Sequence, residues 1–128
     1  MKAIKINLAG AERYLAFTGE AMFTIKEEFG GVSELLSAMG PDTREGYAAT
    51  CKAAAILAEQ GELARRHMGH TPTDIVDADE ISALTSPAEY TAVKAAIPVA
   101  IALGFGREIK DEEEEVDLVL VELQKKTT

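Results

Sequence analysis

The chain has 128 residues, 47% of them apolar and 5% aromatic with no Trp, and 22 acids against 13 bases give a net charge of −9. That length fits one domain, and the charge argues against nucleic acid or an anionic membrane surface as a partner, because both are bound through cations. The single cysteine excludes an internal disulfide, and no run approaches the ~18 apolar residues needed to span a bilayer.

Lys2–Leu8 alternates apolar Ile4, Ile6 and Leu8 with Lys and Asn, the period of a half-buried strand. Ala9-Gly10-Ala11 is a short turn, and Glu12–Phe17 offers Tyr14, Leu15 and Phe17 as a partner strand. An isolated hairpin is marginal in water, so this one must lie on helices or pair with another chain. Its start, Met-Lys-Ala-Ile-Lys-Ile-Asn, has no long apolar region, so no signal peptide is expected and the chain reads as cytoplasmic.

Thr18 is a good N-cap for a first helix, with Glu20 where the helix dipole favours an acid. Met22, Ile25 and Phe29 form its apolar stripe with Phe23 beside them, and Gly30-Gly31 ends it. Ser33 is the expected cap of a short second helix with Leu35, Leu36 and Met39 as its face, closed by Gly40-Pro41. Asp42 or Thr43 opens the longest helix, running to about Met68.

That helix carries two neighbouring apolar stripes, one through Tyr47, Cys51, Ala54 and Ala58 and one through Ala53, Ile56, Leu57 and Leu63, as in a helix packed on two sides. Gly61 inside it is expected to weaken it by roughly 1 kcal/mol relative to Ala. A loop over 70–77 and a short helix or turn over 79–84 follow. Ser86-Pro87 starts another helix, with Ser as N-cap and Pro at its first position. Pro98 should kink or break that helix, and Gly104-Phe105-Gly106 should end it.

Residues Arg107–Lys126 hold eight acids and four bases, the composition of a solvated acidic tail. Val116, Val119, Leu120 and Leu123 fit helical spacing, whereas the Val content of 118–121 favours a strand. Helix is the preferred reading. The expected fold is mainly α: an N-terminal β-hairpin followed by a four- to five-helix single domain over residues 1–109, then an acidic C-terminal tail over 110–128.

Candidate chemistry is sparse. His67-x-x-His70 has no ligand-rich partner nearby and reads as exposed polar residues at a helix end. Asp74, Asp77, Asp79 and Glu80 lack the spacing, central Gly and final Glu of a calcium loop, so they read as capping and solvation. Cys51 sits mid-helix among alanines, the place of a small buried hydrophobe and a poor one for a nucleophile. Gly30-Gly31 and Gly104-Phe105-Gly106 lack a phosphate-loop frame. No catalytic residue, metal ligand or cofactor site is expected.

One stretch carries more. Arg13-Tyr14-Leu15-Ala16-Phe17-Thr18 feeds a helix ending Glu27-Glu28-Phe29-Gly30-Gly31. A short Leu-rich helix (Val32–Met39), a long helix ending in a basic cluster (Ala48–His67) and a last helix ending Ala102-Leu103-Gly104-Phe105-Gly106-Arg107-Glu108 follow. In order and motif, residues 12–109 resemble the tail assembly chaperones of long-tailed bacteriophages and prophages. The resemblance implies a non-enzymatic protein of the host cytoplasm, absent from the mature virion. Such a protein binds the helical tape-measure protein, keeps it soluble, recruits tail-tube subunits around it and self-associates.

The resemblance also raises an extended product made by ribosomal frameshifting. Gln124-Lys125-Lys126 suits an A-rich slippery heptamer, although its plain reading is a Lys-rich helix end. On this reading Met22, Phe23, Phe29, Leu35 and Leu36 form a partner-binding apolar groove; the other reading places them in the core. The competing function is an acidic DNA mimic or other small protein-binding inhibitor, which would need carboxylates spaced along one exposed face.

Overall fold

The structure, a computed structural model, describes residues 2–107 and the backbone of 115–117. The fold is mainly helical, an N-terminal antiparallel hairpin followed by five helices. Strands β1 (Lys2–Leu8) and β2 (Ala11–Leu15) pair with Ile4 opposite Leu15 and Leu8 opposite Ala11. The two-residue turn between them holds Ala9 at φ 52° and Gly10 at φ 79°. Positive φ at both central residues gives a hairpin turn whose twist matches that of its strands.

Helices α1 (Gly19–Phe29), α2 (Val32–Met39), α3 (Arg44–His67), α4 (Ala78–Leu84) and α5 (Pro87–Gly104) follow. Their starts are written locally. The Thr18, Thr43, Asp77 and Ser86 side chains each accept a hydrogen bond from a first-turn amide, and Asp77 with Glu80 and Ser86 with Glu89 complete capping boxes. The expected Ser33 cap is not used. Helix α2 begins two residues earlier, behind Gly31, with no side-chain cap, because the Gly30-Gly31 turn already delivers the chain into the helix. Helix α5 runs through Pro98 to Gly104 without breaking.

Helix α5 packs on β1, while α3 is the axis on which β2 and the other helices assemble. Ile4, Leu8 and Leu15 from the hairpin meet Ile25, Leu35, Leu57, Ile81 and Ile97 in one fully buried core. Helix α3 lies along the outer edge of β2: the Ala16 amide donates to the Leu57 carbonyl at 3.1 Å, and Gly61 sits against the Tyr14 carbonyl. Helical cover is one way a sheet edge is protected from pairing with another chain.

The opposite edge of β1 is taken by β3, Glu115–Asp117, with Ile4 opposite Glu115 and Lys2 opposite Asp117 in the sheet order β2-β1-β3. This corrects the helical reading of the last segment at these three residues. An open strand edge offers unpaired amides and carbonyls, and a Val-containing segment is suited to fill it. The remainder of that reading, from 118 onward, lies outside the described residues. Among the described residues no helix is long and apolar enough to cross a membrane.

Candidate protein-interaction surface

The strongest electrostatic feature is a buried network at the C-terminal end of α3. Glu62 accepts hydrogen bonds from Arg65 Nη1 (2.5 Å), Arg66 Nε (2.9 Å), the Thr73 amide (2.8 Å) and the Thr73 hydroxyl (2.7 Å). Burial alone would raise its pKa. The Thr73 amide and hydroxyl, then the two guanidinium groups, outweigh that and hold the carboxyl at about 2. A carboxylate has about four acceptor positions, and all four here are in use. Glu62 therefore stays charged at neutral pH and has no position left for a ligand. It fastens the 70–77 segment to α3.

Beside it, buried Arg13 donates from Nε to the Leu8 carbonyl (2.8 Å), from Nη2 to the Ala9 carbonyl (3.3 Å) and from Nη1 to the Asp74 carbonyl (3.1 Å), and it pairs with the Asp74 carboxylate (3.3 Å). The cavity between these groups is about 10 Å³, room for one water at most. Both clusters are structural.

The other polar candidates separate. His67 is exposed and His70 buried, which corrects the reading of both as exposed and leaves them on no common surface. Cys51 is buried as expected, and burial pushes its thiol above the ordinary value. Asp77 and Glu80 cap α4 as expected, whereas Asp74 is claimed by Arg13.

The five residues expected to form an apolar groove divide by position. Leu35 is fully buried at 0% exposure, so it belongs to the core; this removes it from any open groove. Met22 and Phe29 are half-buried and pack on that core. Leu36 is 36% exposed and Phe23 57%. The division follows from 100° per residue. Ala21, Ile25 and Phe29 mark the inward side of α1, Met22 lies at its flank, and Phe23 falls on the side facing solvent between Glu20 and Glu27.

The structure adds a residue that the groove expectation omits. Phe105, 53% exposed, caps the end of α5 and packs its ring tilted against that of Phe17, centroids 5.1 Å apart, just past β2. Phe17, Met22 and Phe105 together line a hollow of about 110 Å³. An aromatic between two glycines just past a helix end was the available signal, since nothing local there can bury it. An exposed aromatic beside a half-buried Met forms an apolar surface of the kind enriched in protein interfaces, and Phe23 exposes a further aromatic on the outward side of α1.

Compared with protein-family models, curated proteins and solved structures, the chain matches none.

Proposed function

We propose that this protein is a tail assembly chaperone of the long-tailed phage type, acting in the bacterial cytoplasm without chemistry of its own. It binds the apolar face of the helical tape-measure protein, keeps that protein soluble and helps gather tail-tube subunits around it. The observation that carries the reading is exposed apolar surface: Phe105 with half-buried Met22 at one hollow, and Phe23 on the outward side of α1. An apolar helix face is covered by such aromatic and Met anchors, and a net charge of −9 keeps the pair in solution. The resemblance over residues 12–109 supports it from the side of the sequence.

The test is co-expression with the tape-measure protein of the same genome. Phe23→Asp is expected to leave the circular dichroism spectrum and Tm nearly unchanged, since surface substitutions cost within about 0.5 kcal/mol. The tape-measure protein should then move from the soluble to the insoluble fraction. A Phe23→Asp chain that still holds it soluble would sink the assignment of this surface. Failure of the unaltered chain to bind it would sink the function.

A further inference from the structure

A second concavity lies on the other flank of α1. At 100° per residue Thr24 and Glu28 fall on the side of the buried stripe opposite Met22. Here α1, α3 and the 75–80 segment enclose a groove of about 300 Å³, within the range of ligand clefts. Its apolar lining is Ala55, Ile56, Ile75, Val76 and Ala78, of which Ile75 is 39% exposed. Its polar lining includes four exposed carboxylates, Glu28, Glu59, Asp77 and Glu80, and no Lys, Arg or His.

Asp77 and Glu80 each direct one oxygen to the α4 capping box (2.8 and 3.4 Å). The Glu28 and Glu59 side chains make no hydrogen bond or ion pair among the described residues. Four like charges around an apolar lining repel one another, and an occupant of opposite sign relieves that repulsion. Among the described residues no three of His, Cys, Asp and Glu are grouped to hold a metal ion. Phosphate-bearing ligands are repelled.

We propose that this groove binds a basic amphipathic polypeptide segment, an apolar side chain seated on Ile56 and Ile75 with Lys or Arg about one helical turn to either side meeting Glu28, Glu59 and the α4 start. The groove shares no lining residue with the Phe17–Met22–Phe105 hollow, and the inference stands whether or not this protein's partner is a tape-measure protein.

The experiment uses the full chain and three fluorescein-labelled helical peptides, read by anisotropy. One carries Leu one turn apart flanked by Lys, the second replaces each Lys with Glu, and the third replaces each Leu with Ser. The Lys/Leu peptide should bind at least about tenfold tighter than either other, weakening between 50 and 300 mM salt as contacts between charges are screened. Glu28→Lys with Glu59→Lys should weaken it by about tenfold or more, whereas the same charge change at Asp42 and Glu45 should leave it within about twofold. Circular dichroism of both double variants checks that they fold. Absence of binding, equal binding of the Glu peptide, or equal loss from both double variants would overturn the proposal; the last would mean bulk charge rather than the groove.

Discussion

Glu62 is the residue whose chemistry departs furthest from its free value. Its carboxyl is held at about 2 in the fold, against an ordinary value of 4.5. A carboxylate depressed on folding stabilises the native state above the unfolded pKa, and that stabilisation is lost as pH falls through the folded one. The window is therefore about pH 4.5 to 2, and the contribution at neutral pH is on the order of 3 kcal/mol. Glu62→Gln keeps the side-chain volume but cannot pair with Arg65 and Arg66. Its urea stability at pH 7 should fall by about that amount. The gap to the unaltered chain should then close between pH 4.5 and 2. Equal pH slopes for the two proteins over that window would show that the network contributes nothing. The Glu62 spacing to Arg65 and Arg66, i+3 and i+4, was visible in the sequence; its two bonds to Thr73, eleven residues on, were not.

At the scale of elements, what the chain settles locally was legible and what it settles by approach was not. Thr18, Thr43 and Ser86 cap because a side-chain oxygen reaches an amide three residues on, and three residues of sequence contain that whole interaction. The extended conformation at 115–117 depends instead on the open edge of a strand more than a hundred residues away. Phe23 and Leu35 each belonged to an apolar cluster in the sequence, yet one faces solvent and the other the core. Only the packing of α1 and α2 on α3 decides which side is inward. Gly61 shows the same division with a reversed sign. By helix propensity alone, Gly61→Ala stabilises α3 by about 1 kcal/mol. In the fold a Cβ there would overlap the Tyr14 carbonyl oxygen, backbone that cannot swing aside. Overpacking costs typically 1–3 kcal/mol, and here α3 would also be pushed off the β2 edge, so Gly61→Ala should destabilise by about 2 kcal/mol. A thermal melt several degrees lower would agree. A rise in Tm would mean that α3 does not seat against β2 through Gly61.

Over the whole molecule, the hairpin and the 70–77 segment are sixty residues apart in sequence and share one buried guanidinium. Arg13 satisfies the Leu8 and Ala9 carbonyls at the hairpin turn and reaches Asp74 in the segment that follows α3. The two ends of that link are unequal. Arg13 is buried at 7% exposure, whereas the Asp74 side chain is 66% exposed. An exposed carboxylate is screened by water, so Asp74→Asn should cost less than about 1 kcal/mol. Arg13→Met removes three donors to backbone carbonyls, two of them in buried contacts, and each buried group left unpaired costs about 1–3 kcal/mol. The expected loss is about 3 kcal/mol once the favourable burial of the Met side chain is counted. It should appear in two places at once. Hydrogen exchange should quicken at the β1–β2 turn amides and at Thr73, whose bonds to Glu62 depend on the segment that Arg13 pins. If exchange quickened at the turn alone, the hairpin and the 70–77 segment would be independent. Faster exchange at both sites would show that one side chain couples the sheet end to the start of α4, and through Ile75 and Val76 to the lining of the acidic groove.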